Sequence, residues 1–315
     1  MNREAVRIAV AGSVNVDLVF AAARRPGRGE TLHGTDFRVF SGGKGANQAI
    51  AAARAGGQVS LIARTGADAF GQTARAALEA EGVDLRFTTT DPDYGTGVAG
   101  IVVEPDGANS IVVVPQANGR LDAADVRRAA PALGAAAVLL LQLETPLAAA
   151  LEAARLARRG GALVVLNPAP APAGGPDLPP DLRALLAATD VLVPNETEAA
   201  QLTGIETDSL DGAAAAGRAL LARGPRAVLL TLGARGALLV ETGAAVSVAP
   251  FEVPVLDTTA AGDAFCGALA VALGEGGSLL SAARLAGAAG ALAVTVAGAG
   301  PSLPRRADIE RLLDA

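Results

Sequence analysis

Residues 137–166 read AVLLLQLETPLAAALEAARLARRGGALVVL, and their pattern decides the architecture. An apolar run, Ala137–Leu143, gives way to a segment from Pro146 to Arg159 in which Ala and Leu recur at helical spacing. A second apolar run, Leu163–Leu166, follows. Proline suits a first helical turn, and Gly160-Gly161 stand where a helix C-terminus favours glycine. Strand, helix and strand in this order predict two parallel strands, which cannot be joined by a short hairpin.

The rhythm continues on both sides. Further strands are expected at Val6–Ala11, Val59–Ala63, Val191–Val193, Ala227–Thr231 and Ala237–Val240. Helices are expected at Ala46–Ala55, ended by Gly56-Gly57, and at Phe70–Ala80, Gly212–Arg223 and Ala264–Leu273. The fold class is therefore α/β, a mostly parallel central sheet with helices on both faces. Two stretches break the alternation. Val98–Val103 and Ser110–Val114 flank Glu104-Pro-Asp-Gly-Ala-Asn109 and read as a hairpin. Residues 14–40 carry little helical pattern, and Thr31–Phe40 could supply another pair of extended segments. Segments of about 14–40 and 95–115 are thus expected to form a small antiparallel flap, a lid on one α/β domain spanning 1–315. Asn167–Pro180, rich in Pro, Ala and Gly, reads as a loop.

Composition narrows the function. With 26 Lys+Arg against 32 Asp+Glu the net charge is −6, and aromatics make up only 3%. Nucleic-acid binding, which needs a basic field and usually stacking platforms, is not expected. One Cys, Cys266, and one His, His33, leave no disulfide framework and no soft-ligand zinc site. A reducing, cytoplasmic location is expected. Residues 285–304 lack charged side chains, but their Ala and Gly content, Thr295, Ser302 and two prolines read as a packed helix and loop rather than a membrane span. Asn15 and Asp17 interrupt the first apolar run, against a signal peptide.

Three familiar patterns fail on context. Gly95-Thr-Gly-Val-Ala-Gly100 has dinucleotide-loop spacing but leads into a strand instead of a helix. Gly66-Ala-Asp-Ala-Phe-Gly71-Gln72-Thr73 resembles a phosphate loop but has Gln72 where Lys is required. Asn195-Glu-Thr197 matches a glycosylation acceptor in a chain without a secretory signal.

Asp257-Thr-Thr-Ala-Ala-Gly-Asp263-Ala-Phe-Cys-Gly-Ala-Leu-Ala270 carries more. Ala260, Ala261 and Gly262 are small enough to let backbone N–H groups approach an anion, at the start of a helix whose dipole favours negative charge. Asp263 in the first turn could take a hydroxyl proton while those amides hold a phosphoryl group. It could equally be an ordinary helix-start acid, and these residues alone leave both readings open. Ser41-Gly-Gly-Lys-Gly-Ala-Asn47-Gln-Ala offers glycines that admit a polyhydroxylated ligand, a donor in Lys44, and donor and acceptor together in Asn47. A loop that merely starts a helix is the alternative. Asn15, Asp17 and Glu144 could converge with it at the C-terminal ends of parallel strands.

From Val6 to the C-terminus the chain resembles the PfkB-type carbohydrate kinase family. The resemblance rests on Gly12-Ser-Val-Asn15-Val-Asp17, Gly42–Ala49, Gln142-Leu-Glu144, Leu166–Pro170, Pro194–Glu198, Thr231–Gly236 and Asp257–Ala270. The second and last are the family's two signatures, and the Lys-containing form of Gly42–Asn47 fits its ribokinase-like branch. The resemblance implies a ribokinase-like α/β fold and ATP-dependent phosphorylation of D-ribose at its terminal hydroxyl. A kinase for deoxyribose, another sugar or a nucleoside, and a non-catalytic sugar-binding regulator, are the alternatives.

Residue by residue, the resemblance makes Asp263 the base and Ala260, Ala261, Gly262 and Asp263 the anion hole. Asn15, Asp17, Gly43, Lys44, Gly45, Ala46, Asn47 and Glu144 match sugar-binding positions. Asn195 and Glu198 match the Mg²⁺–phosphate network, while Thr231, Leu232, Gly233, Ala234, Arg235, Gly236, Gly262 and Gly287 match nucleotide positions. An activating K⁺ maps to Asp257, Thr259, Ala293, Val296, Gly298 and Ser302, and a homodimer through the flap is implied. Gln116 stands where the family more often has Gly, and Gly287 where relatives often carry a larger polar residue. Cys266 reads as a small buried hydrophobe, and His33 has no assigned catalytic part.

Overall fold

The structure, a computed structural model, describes residues 5–105, 107–172 and 177–314. Its strands are β1 (Arg7–Ala11), β2 (Asn15–Ala21), β3 (Asp36–Gly42), β4 (Gln58–Gly66), β5 (Thr88–Asp91), β6 (Gly97–Val103), β7 (Asn109–Val114), β8 (Val138–Leu141), β9 (Leu163–Leu166), β10 (Val191–Leu192), β11 (Ala227–Thr231), β12 (Ala237–Glu241) and β13 (Ala244–Val248). Nine of them form one sheet in the order β13-β12-β11-β10-β9-β8-β1-β4-β5. It is parallel from β11 to β5, and β12 and β13 add an antiparallel edge.

Central strands are buried on both faces, as their unbroken apolar runs require. Along β1, Ile8 and Val10 pack into one hydrophobic cluster while Ala9 and Ala11 pack into the other. Helices Lys44–Arg54, Ala261–Gly274 and Leu279–Ala293 cover the first face; Leu147–Arg159, Pro180–Ala187 and Leu210–Leu221 cover the second. Small residues let the site helices touch: a Cβ on Gly267 would stand 2.5 Å from the Ala51 methyl. The Ala and Gly content of both helices follows from that approach.

Residues 285–304 become the end of helix Leu279–Ala293, a turn and the short helix Ala299–Ser302. Among the described residues no helix is long and apolar enough to cross a membrane. The loop expected at 167–180 is irregular up to Pro172 and from Asp177, with helix starting at Pro180; 173–176 lie outside the described residues.

A second sheet, β3-β2-β6-β7, is the flap. The hairpin of β6 and β7 is present, although Asp106 in its turn lies outside the described residues. The extended pair expected within Thr31–Phe40 is instead β2 with β3, in register from Asn15↔Gly42 to Ala21↔Asp36. Polar Asn15 and Asp17 blurred the β2 signal, and residues 31–35 belong to the connection, where the Thr35 N–H donates to the Ala21 carbonyl at 2.8 Å. β2 also pairs in parallel with β6, so the flap is mixed rather than purely antiparallel. His33 is exposed.

Candidate active site

The C-terminal ends of the parallel strands deliver Gly12 and Ser13 after β1, Gln142 and Glu144 after β8, Asn167 after β9 and Asn195 near the end of β10. Ligand sites form at such ends because the following backbone turns away and leaves a crevice. β2 brings Asn15 and Asp17 over this edge, and helices Lys44–Arg54 and Ala261–Gly274 begin there. Gly43 precedes the first helix with φ +88°, and a Cβ on it would stand 2.7 Å from the Asn15 amide nitrogen. Glycine is therefore required.

A cavity of about 640 Å³ is lined by Asn15, Asp17, Gly43, Lys44, Asn47 and Glu144, by Asp257, Thr259 and Gly298 across from them, and by the flap. A second, of about 190 Å³, is lined by Asn195, Glu198, Thr231 and Gly262. The two share Lys44, Thr258, Ala260 and Asp263. Asp263 thus stands at the junction of the larger cleft and a smaller pocket at a helix start.

Gly45 and Ala46 line neither cavity. A Cβ on Gly45 would lie 2.5 Å from the Gly12 carbonyl carbon and the Ser13 nitrogen, so this glycine serves close packing. Ala46 is fully buried. Leu232 is buried, and Gly233–Arg235 form one tight turn in which Arg235 donates to the carbonyls of Thr207 and Asp208 and pairs with Glu196. Gly236 has φ +83°, and Gly287 faces the Phe251 ring. Around Asp257, one carboxylate oxygen accepts from the Thr259 N–H and hydroxyl and the other from the Gly298 N–H at 2.8 Å. The Val294 carbonyl accepts from the Asp257 N–H, and the Ala293 carbonyl from that of Val296. The Ser302 hydroxyl is buried and donates to the Ala299 carbonyl.

Hydrogen bonds fix the polar groups. Glu144 accepts from the Ser13 hydroxyl and from the Lys44 N–H at 3.0 Å. Asn118 Nδ2 donates to Asn15 Oδ1 at 2.7 Å, which leaves the Asn15 amide N–H groups for the cleft. Asn195 and Glu198 form a reciprocal capping box at the start of helix Glu196–Thr203. No role was read from the sequence for Ser13, Thr258 or Asn118; the signal available was a polar residue among apolar neighbours, as with Ser13 after the β1 run.

Charge is concentrated here. Burial, with Glu144 and Asp263 nearby, pushes Asp17 up to about 6 despite Lys44. Burial also raises Asp263 against the opposing Lys44 and the amides of Asn47 and Gln48. Burial alone would lower Lys44, but Asp263, Glu144 and Glu198 outweigh it and hold the ammonium above its ordinary value. Glu198 is raised by burial. The half-buried Lys44 ammonium among the carboxylates of Asp17, Glu144, Glu198 and Asp263, with helix-start amides beside it, suits a phosphorylated ligand beside a hydroxylated one.

Similarity to known proteins agrees with this geometry. The profile of pfkB family carbohydrate kinases matches residues 6–306. The chain belongs to that family. Among carbohydrate kinases of known identity, it is 39% identical to a ribokinase of Haemophilus influenzae over 98% of both chains. It is 36% identical to a deoxyribokinase of Salmonella typhi over 94% of this chain and 95% of that one. The structure of an Arabidopsis thaliana ribokinase complexed with ribose and ATP superposes with a TM-score of 0.88 at 33% identity, covering 99% of this chain and all of the other (100%).

Proposed function

We propose that this carbohydrate kinase transfers the terminal phosphoryl group of ATP to the 5-hydroxyl of D-ribose, giving D-ribose 5-phosphate and ADP. The observation that carries this reading is the position of Asp263, shared between the larger cleft and the pocket at the helix start. Asp17 accepts hydrogen bonds from paired sugar hydroxyls, Asn15 and Lys44 donate, and Asn47 and Glu144 hold the rest of the ring. Asp263 takes the proton of the attacking hydroxyl. The backbone N–H groups of Ala260–Asp263 hold the transferred oxygens, where fixed donors stabilise developing charge most. Thr231–Gly236 and Gly287 form the nucleotide's bed.

Asn195 and Glu198 are the residues suited to a Mg²⁺–phosphate network, since both line the smaller pocket and the Asn195 N–H and side-chain amide hold the Glu198 carboxylate there. Bound Mg²⁺ would supply charge neutralisation on the phosphates. Among the described residues no group of three or more His, Cys, Asp and Glu is placed to hold a metal ion. A K⁺ would instead be held by the oxygen-only set of Asp257, Thr259, Ala293, Val296, Gly298 and Ser302, which suits a hard cation.

Ribose is preferred to deoxyribose on one contact. With its oxygen occupied by Asn118, Asn15 turns N–H donors to the cleft, and a 2-hydroxyl is an acceptor for them. The deoxyribokinase likeness keeps the 2-deoxy sugar as the second reading. Residues 1–315 are read as one domain, acting in the cytoplasm as a homodimer through the flap. Supporting the dimer, Phe37, Ile111, Val112, Val113 and Val114 expose apolar surface on the flap, and grouped exposed apolar side chains mark interaction surfaces. ADP release measured across pentoses, 2-deoxyribose, hexoses and nucleosides, with and without K⁺, tests the reading. Ribose is expected to give the highest kcat/KM, and no ADP with any sugar would leave the binding-only alternative.

A further inference from the structure

Asp263 is gripped by two side-chain amides. Asn47 Nδ2 donates to Oδ2 and Gln48 Nε2 donates to Oδ1, each at 3.0 Å. Asn47 lines the cleft, whereas Gln48 is fully buried and lines neither cavity. Gln48 is itself held from behind: Gln142 Nε2 donates to Gln48 Oε1 at 2.6 Å, and Gln48 Nε2 also reaches Asn167 Oδ1 at 3.2 Å. Asn167 is oriented in turn by donating to the Val193 carbonyl at 2.9 Å.

The direction of each amide follows from the charge on Asp263. An ionised carboxylate accepts only, so Gln48 must present its nitrogen to it and its oxygen to Gln142. Gln142 must then present its nitrogen to Gln48. Its own Oε1 is left buried without a hydrogen-bond partner, against Gly12, where a Cβ would stand 2.0 Å from that oxygen. An unpaired buried acceptor is destabilising, a cost that an apolar side chain at 142 would avoid.

We infer that Gln142 and Gln48 form a relay that positions the Asp263 carboxylate for proton transfer, Gln48 acting on Asp263 and Gln142 acting only through Gln48. The relay runs from the sheet edge after β8, through helix Lys44–Arg54, to the first turn of helix Ala261–Gly274. Neither residue lines the cleft or the smaller pocket. Among the described residues, Lys44, Glu144, Glu198, Asp17 and Cys266 are the charged or titratable groups that act on Asp263, and none of them bonds to its oxygens. Fixing the base therefore falls to amides, which cannot exchange protons with it.

The inference rests on the sugar-kinase reading, and its test separates the two. Wild type, Gln48→Met, Gln142→Met and the double variant are compared for kcat and sugar KM by ADP release with ribose. A misplaced catalytic group costs on the order of 100-fold, so Gln48→Met is expected to lose about that in kcat, with sugar KM changed less than about threefold. Gln142→Met should lose roughly tenfold, and the double variant should match Gln48→Met, since two residues acting in series are not additive. An unchanged kcat, a loss carried by KM, or a further loss on adding Gln142→Met to Gln48→Met would overturn the relay. If Gln48→Met does not fold, Gln142→Met decides alone by the same kcat and KM criteria. A wild type inactive on every sugar would overturn the kinase reading and the relay together, whereas an active wild type with unaffected variants overturns the relay only.

Discussion

The carboxylate of Asp17 lies across the bare face of Gly42: a Cβ built on that glycine would stand 2.3 Å from Asp17 Oδ2 and 2.5 Å from its carboxyl carbon. The two residues belong to paired strands of the flap root, so the glycine makes room for an acid that must face the cleft. Gly42→Ala should push Asp17 out of place. Sugar KM is expected to rise at least about tenfold, equal to roughly 1.4 kcal/mol of lost binding, with a smaller change in kcat. Steady-state kinetics with ribose check it; an unchanged KM would detach Asp17 from sugar binding.

Asp17 also predicts a pH dependence. Its pKa is about 6 in the folded chain against an ordinary 3.8. The ionised carboxylate accepts from two hydroxyls at once, whereas protonation turns one of its oxygens into a donor, so sugar KM should climb as pH falls through about 6, and Asp17→Asn should flatten that dependence while weakening binding throughout. For stability the sign is opposite to that of a salt-bridged acid. The raised value favours the folded state below pH 3.8, and that advantage disappears as pH rises through about 6. At pH 7.5 Asp17→Asn should therefore stabilise the free protein, by about 1 kcal/mol after allowing for partial solvent screening. Thermal unfolding at pH 5 and 7.5 measures it.

Ala260, at the start of helix Ala261–Gly274, has φ +60° in the left-handed region. An L residue there costs about 1–2 kcal/mol, and glycine's greater freedom when unfolded offsets about half of that on replacement. Ala260→Gly should consequently fold with a melting temperature within a few degrees of wild type. Ala260→Val is expected to lose about 2 kcal/mol or more and most of its turnover, because a β-branched residue resists this conformation beside the helix-start amides. Wild-type turnover in Ala260→Val would show that these amides need no such geometry.

Cys266 is 1% exposed, and burial raises its thiol well above the ordinary range. The native protein should resist iodoacetamide at pH 7.5 and be alkylated only on unfolding, as mass spectrometry would record. Rapid labelling of native protein would contradict this burial.

The parallel sheet was legible because its strands are uninterrupted apolar runs separated by Ala-rich helices with clear ends, as at Leu163–Leu166, which matches β9 residue for residue. Strands lacking that signature were not. β5 reads Thr-Thr-Thr-Asp, and β13 reads Ala-Ala-Val-Ser-Val, mostly exposed at the sheet edge. β2 was hidden because one face of it carries the polar residues of the cleft. Within the site, the helix-start context of Asp263 left a catalytic base and an ordinary helix-start acid equally open, and only the family resemblance singled it out. Gln48 was not legible, since its importance lies in reaching Asp263, 215 positions away, and its only local mark is an amide within a run of buried alanines. Ala260's backbone conformation left no trace in its side chain.

The central claim is that Asp263 takes the proton of the attacking sugar hydroxyl, and ADP release with saturating ribose and MgATP, comparing wild type with Asp263→Asn, tests it most directly. General-base catalysis contributes about 10²–10⁴-fold. Turnover in the variant should fall by about that much, while ribose affinity measured calorimetrically stays within a few fold. Near-normal turnover by Asp263→Asn would contradict the account.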